Sequence, residues 1–480
     1  MRRTKIVATL GPATDQDGML ARLIEAGLDA ARLNYSHGDV ADHARRARAV
    51  RAAAAAAGRE IGLIADLQGP KIRLECFRDG PVTLVEGARF VIDAELGDHH
   101  GTQAEVGVTY KALPGDVHAG DTLLVDDGRI VLQVERVQGA RIETTVQIGG
   151  PLSNHKGINR QGGGLSAPAL THKDREDLVH ALAHGADYIA VSFPRTAEDI
   201  ESARQLIKAA GGRAGIIAKM ERAEALDHAA EIIAASDCIM IARGDLGVEI
   251  GDARLPPAQK MLVAMARRQF RTVITATQMM ESMIEHPLPT RAEVFDVANA
   301  VLDGTDAVML SGETSVGAYP DKAVAAMSRI CLGAEREWSN PQSSTLPDVA
   351  FERVDQAIAM SAIYCGNRMG VKAIAALTES GATPLWMSRV NTAIPIFALA
   401  REAATLRRVT LYRDVVPVEF DFNSVPYDGV TQEVLRVLKA RGAVSDGDRV
   451  IITKGDLHGY SGSTNGLKIV TVGEAVAAAG

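Results

Sequence analysis

Eight short apolar runs, each carrying its polar, chemically useful residues at the C-terminal end, restrict the possible folds of this chain more than any other feature. In order they are KIVATL, AARLNYS, IGLIADL, YIAVSF, GIIAKME, CIMIARG, TVITATQ and AVMLSGE, separated by amphipathic stretches within residues 1–68 and 165–343. Eight strand-then-helix units predict a parallel sheet closed on itself, a (β/α)8 TIM barrel of the α/β class, whose functional groups sit at the C-terminal strand ends.

Two segments break that rhythm. Residues 69–164, with FVIDAEL, DTLLVDDGRIVLQVERV and ARIETTVQI, carry strand patterns and an Asp127-Gly128 turn signal, so they read as a β lid domain inserted into a barrel loop. Gly162 to Gly164 would make its return hinge. After Trp338 the stretch SNPQSSTLPD reads as a linker, and residues 344–480 alternate helical patterns with VKAIAALT, PIFALA, DRVIITK and LKIVTV, the texture of an open α/β sheet. A chain of 480 residues suits such a three-domain plan. The alanine run at 52–57 reads as plain helix ended by Gly58.

Several functions are disfavoured. A net charge of −8 argues against general affinity for nucleic acid or an anionic membrane and leaves small molecules as the expected partners. The apolar run after MRRTK is too short for a secretory signal, and no segment reaches membrane-spanning length. Cys76, Cys238, Cys331 and Cys365 are widely spaced and read as buried free thiols of a reducing cytoplasm. The histidines show no zinc-ligand spacing, and neither a P-loop nor a Rossmann fingerprint is present.

The strand ends hold the chemistry. In IIAKMER, Lys219 and Glu221 are two apart and share one strand face. AARLNYSHG places Arg32, Asn34 and Ser36 on one face; Arg32 can grip phosphate or sit in an ion pair at the rim. CIMIARGDLGVEIG ends in Gly244-Asp245, a tight turn or an anion- and cation-binding element, and with Glu221 it offers two carboxylates for Mg²⁺. Thr277 would bind an anion, relay a proton or bond a nearby carbonyl. Cations for phosphate (Arg32, Arg73, Lys219), carboxylates for a metal and no activated nucleophile are the parts of direct phosphoryl transfer. A lyase or aldolase acting on a related enolate would use Lys219 equally well.

ARLNYSHG, DLQGPKIR, IIAKMER, IMIARGDLGVEI, ATQMMESMIEHPLPTRAEVFDVANAV and DAVMLSGET, in this order and spacing, resemble the signature blocks of the pyruvate kinases. The resemblance implies a barrel with a β lid and a C-terminal regulatory domain in a homotetramer that moves the phosphoryl group of phosphoenolpyruvate to ADP, giving pyruvate and ATP. By motif, Lys219 would stabilise the transferring charge, Glu221 and Asp245 would hold Mg²⁺ (Mn²⁺ as the alternative ion), and Arg32 and Arg73 would contact phosphate. Gly244, Asp245 and Thr277 would hold the substrate carboxylate; Pro12, Asn34, His37 and Lys173 would line the nucleotide site.

Many members of that family bind K⁺ near positions matching Asn34, Ser36, Asp66 and Leu67, with a glutamate where this chain has Lys71. The lysine implies that K⁺ is not required. TESGATPLWMSR and GYSGSTNG resemble the family's effector segments, so Thr378, Ser380, Gly381 and Thr383 are expected to receive a phosphorylated allosteric effector, with Ala382 where a basic residue often stands.

Overall fold

A computed structural model describes residues 1–337, 350–426, 428–456 and 462–474. The SNPQSSTLPD linker and the 343/344 division fall outside the described residues.

Every apolar run of the repeat forms a barrel strand. Strands β1 (Lys5–Thr9), β2 (Ala30–Asn34) and β3 (Gly62–Asp66) open the sheet. The chain then leaves the barrel for eight strands: β4 (Val82–Leu84), β5 (Arg89–Asp93), β6 (Glu105–Gly107), β7 (Thr122–Val125), β8 (Ile130–Gln138), β9 (Arg141–Ile148), β10 (Gly150–Leu152) and β11 (Ile158–Arg160). It returns as β12 (Tyr188–Val191), β13 (Gly215–Met220), β14 (Cys238–Ala242), β15 (Thr272–Ala276) and β16 (Ala307–Leu310). The closed barrel runs β1-β16-β15-β14-β13-β12-β3-β2, with Lys5 opposite Ala307 and Asp66 opposite Ala190. These strands are buried on both faces, which is why they read as apolar runs and not as alternating patterns.

Local signals set the helix limits. Thr290 caps Arg291–Asp303 by accepting from Glu293 N while the Glu293 carboxylate takes Thr290 N at 2.7 Å, a reciprocal capping box. The alanine run closes the helix Val40–Ala56, with Ala57 as its C-cap and Gly58 following at φ 61°.

The lid has its own core around Phe90, Val106, Leu123, Leu132 and Val146. Its β7–β8 hairpin turns through Asp126, Asp127 and Gly128 at φ 53°, 56° and 83°, as the turn signal predicts. Gly162, Gly163 and Gly164 all have φ between 80° and 91°, a path that side chains resist, and the hinge is fastened to the barrel by Gly162 N on Glu249 O (3.1 Å) and Gly164 N on the Glu224 carboxylate.

The C-terminal sheet has five strands, β17 (Ala373–Leu377), β18 (Ile396–Ala400), β19 (Val415–Glu419), β20 (Arg449–Gly455) and β21 (Thr464–Thr471), in the order β19-β18-β17-β20-β21, with β21 antiparallel. The barrel interior, including Val7, Ile64, Ile217, Met240 and Ile274, is continuous with Met387, Ile394, Leu411 and Tyr412 of this domain, which therefore seals the N-terminal end of the barrel. That leaves the opposite end, under the lid, for chemistry.

Candidate active site

At the C-terminal end of the barrel one lysine collects two carboxylates. Lys219 Nζ lies 2.7 Å from Glu221 Oε1 and 3.2 Å from Asp66 Oδ1, and donates to Ser192 Oγ at 2.8 Å. Glu221 and Asp66 are buried and Lys219 nearly so. Burial alone would lower the ammonium, but Asp66 and Glu221 outweigh it and hold Lys219 above its usual value, charged at any physiological pH.

Asp66 is the shared partner. Arg32 Nε donates to its Oδ2 at 2.6 Å and Arg32 Nη1 to Thr9 Oγ1 at 3.0 Å. Strand register sets this up: Arg32 lies beside Thr9 on β1, and Asp66 beside Asn34 and Ala190. Burial would push Asp66 up; Arg32 and Lys219 reverse that and hold it below the usual carboxylate range. Arg32 is thus in an ion pair at the rim, the plainer of its two readings, while its position still faces the same cluster.

Glu221 Oε2 accepts from Phe193 N at 2.9 Å, and Phe193 adopts φ 55°, turning its amide to the carboxylate. Burial pushes the Glu221 carboxyl up, Lys219 pulls it down and Asp245 adds to the push. Two carboxylates that repel across a buried site suit a divalent cation between them, so Glu221 and Asp245 fit the metal expected of them.

Gly244-Asp245 is not a tight turn. Arg243–Ile250 is helix directly after β14, so Asp245 stands in a first helical turn. Thr277 is the strained residue: φ is 67°, with Gln278 at 53°, and a β-branched side chain rarely tolerates that region. Its hydroxyl donates to Ala276 O (2.7 Å) and accepts from Gly244 N (2.8 Å), while Arg243, paired with Asp296 at 2.6 Å, clamps the Thr277 carbonyl. Gly244 N is therefore committed to Thr277.

The remaining expected residues are less tightly gathered. Asn34 Oδ1 accepts from half-buried Ser36 N, Leu67 is buried with its carbonyl taken by Ser192 Oγ (2.7 Å), and Lys173 Nζ donates to Tyr35 O (3.0 Å). Pro12 is the exposed first residue of a short 3-10 turn after β1 whose Ala13 and Thr14 are buried, and Lys71 is exposed at the root of the lid. Arg73 does not join the Lys219 cluster: its Nη1 donates to His155 O at 2.7 Å on the lid. His37 is exposed, and partial burial followed by Lys71, Arg73 and Arg32 lowers its imidazole, so all three charges bear on it. Between lid and barrel a crevice is lined by Lys71, Asp127, Phe193, Arg222, Asp245 and Glu249.

Ser192 and Phe193 were not among the expected site residues. Their signal was the polar end of YIAVSF, the fourth run.

In the C-terminal domain the turn expected to receive an effector is folded onto itself. Thr378 Oγ1 accepts from Gly381 N (2.9 Å), Thr383 Oγ1 lies 3.0 Å from Thr464 Oγ1, both threonines are buried, and Ser380 is half-buried. Gly381, at φ 83°, starts the helix Ala382–Ser388. Part of GYSGSTNG lies outside the described residues.

Among the described residues no helix is long and apolar enough to cross a membrane. Cys76, Cys238 and Cys331 are buried free thiols and Cys365 is a half-buried one.

Comparison with known proteins agrees with this geometry. Residues 1–324 match the family model described as the pyruvate kinase barrel domain, and residues 356–470 the one described as the pyruvate kinase alpha/beta domain. The chain is 54% identical to pyruvate kinase II of Salmonella typhimurium over 98% of this chain and 99% of that one, and 52% identical to a pyruvate kinase of Haemophilus influenzae over 95% and 96%. A crystal structure of a pyruvate kinase from Cryptosporidium parvum superposes with a TM-score of 0.91 at 34% identity, over 98% of this chain and 96% of that one. Barrel, lid, strand-end cluster and whole-length similarity together place this chain in the pyruvate kinase family of phosphotransferases.

Proposed function

We propose that this chain transfers the phosphoryl group of phosphoenolpyruvate to ADP, yielding pyruvate and ATP in glycolysis in the cytoplasm. The observation that carries the reading is the charged Lys219 between Asp66 and Glu221 at the open end of the barrel. In this reading the bond from phosphorus to the enol oxygen breaks, a bond to the β-phosphate oxygen of ADP forms, and the enolate left behind takes a proton at carbon.

Lys219 meets the negative charge that moves between the two oxygens, and it needs no proton transfer to do so because its partners keep it cationic. Arg32 and Arg73 orient phosphate. Thr277, Gly244 and Asp245 receive the substrate carboxylate, and the Thr277 hydroxyl leads the proton path toward the enolate carbon. Pro12, Asn34, His37 and Lys173 receive the nucleotide. Glu221 and Asp245 would hold Mg²⁺, or Mn²⁺ in its place. Such an ion supplies charge neutralisation to the phosphoryl oxygens.

K⁺ independence rests on Lys71, a fixed positive charge at the lid root where many members of the family carry a glutamate beside a cation site at Asn34, Ser36, Asp66 and Leu67. A homotetramer regulated by a phosphorylated metabolite at Thr378, Ser380, Gly381 and Thr383 completes the proposal; the turn's hydroxyls and backbone would exchange their internal hydrogen bonds for the phosphate oxygens. The test is a coupled assay of pyruvate formation with phosphoenolpyruvate, ADP and Mg²⁺, adding sugar phosphates and AMP singly. Pyruvate release without ATP formation would favour a lyase.

A further inference from the structure

The lid brings together four side chains with no motif spacing. Cys76, at the root of the lid, is buried, and its Sγ lies 3.2 Å from His155 Nε2. Ligand atoms of Cys76, Asp98 and His99 all lie within 4.8 Å of one another, the one such group among the described residues. Asp98 Oδ1 accepts from Cys76 N (2.9 Å) and His99 N (3.0 Å), which leaves Oδ2 facing His99 Nε2 at 3.6 Å.

We infer that Cys76, Asp98 and His99 form a metal site for a Zn²⁺-class ion, separate from the carboxylates of the barrel, with His155, beside the thiol but outside the trio, turning in as the fourth ligand when the ion binds. Bonds of about 2.0–2.3 Å to sulfur, nitrogen and oxygen in a tetrahedron put neighbouring donors roughly 3.3–3.8 Å apart. The Cys76–His155 and Asp98–His99 separations lie close to that range, and the full trio is within about an ångström of it.

The donor set selects the ion. A thiolate with two imidazoles and one carboxylate suits borderline-soft Zn²⁺, whereas Mg²⁺ prefers oxygen alone. His99 and His155 both take left-handed backbone, at φ 61° and 59°. The surrounding scaffold is already tied: Gly101 N donates to Cys76 O (3.1 Å), Phe77 N to Asn154 Oδ1 (2.9 Å), and Arg73 bridges to Gly157. Three lid segments meet there, and a bound ion would join them covalently at the point where the His155 carbonyl holds Arg73.

The experiment uses the full chain, stripped by chelation and held in saturating Mg²⁺ so that the barrel carboxylates are occupied. Titration with Zn²⁺ should show one equivalent bound per chain. Cys76→Ser should weaken that binding by about 100-fold or more, since even partners behind a ligand are worth 10–100-fold. His155→Gln should weaken it too, in a protein whose circular dichroism is unchanged. Co²⁺ in place of Zn²⁺ should give a thiolate-to-metal charge-transfer band that is absent in Cys76→Ser. Zn²⁺ affinity equal in wild type and both variants, or a Co²⁺ complex lacking that band, would overturn the site.

Discussion

Arg389 and Asp306 form a two-pronged ion pair, each side chain 1% exposed, across the junction of the C-terminal domain and the barrel. Asp306 also takes the amides of Val273 (2.9 Å) and Arg413 (3.0 Å), so one carboxylate binds a barrel strand and the other domain together. Asp306→Asn would leave a buried guanidinium without its counter-charge, a loss of about 3–5 kcal/mol. Urea denaturation should show it as an early transition; an unchanged midpoint would mean water replaces the pair.

Lys219→Met should leave phosphoenolpyruvate binding within a few-fold of wild type and cut turnover by about 10³-fold or more, because an ammonium directed at moving charge acts on the transition state. Calorimetric binding beside a turnover assay separates the two. Near-normal turnover would remove Lys219 from its role.

Full turnover is expected with Mg²⁺ when tetramethylammonium is the sole monovalent cation, and Lys71→Glu should acquire a K⁺ requirement. Collapse of wild-type activity on withdrawing K⁺ is the contrary result.

Glu249, where the lid hinge meets the barrel, is pushed by burial from its ordinary 4.5 up to about 7. Between those values the folded protein binds a proton that the unfolded chain has released, so this group's stabilisation is complete below about 4.5 and fades as pH rises through 7. Asp414, raised by burial to about 6, acts in the same direction. Melting temperatures from pH 5 to 8 should therefore fall less steeply in Glu249→Gln than in wild type, and parallel curves would contradict the assignment.

Ser380→Ala should blunt the response to whichever phosphorylated metabolite lowers half-saturation, with turnover at saturating substrate unchanged. An intact response would place the effector elsewhere.

What could be read from the sequence followed from periodicity. The eight barrel runs were legible because a strand buried on both faces must be apolar throughout, and Lys219 with Glu221 was legible because two residues on a strand share a face. The Asp66 position was visible, but not that it would hold Arg32 and Lys219 at once, since that depends on the register between β2, β3 and β13. For Gly244-Asp245 the sequence left a tight turn open beside a binding element, because glycines commonly mark turns; here the segment lies in the first turn of a helix. Cys76, Asp98, His99 and His155 lack any motif spacing because lid pairing, Phe77 with Gly101 and Arg73 with Gly157, brings them together.

The placement of the lid between β3 and β12 also orders events on the ribosome. Barrel closure needs β16 beside β1, so it waits for Leu310, whereas the lid has a core of its own and is finished by Arg160. A nascent chain therefore carries a folded lid on three unclosed strands. Once folded, that lid brings Asp66 and Ala190 near each other and shortens the loop whose closure entropy must be met, so damage to the lid should slow assembly of the barrel.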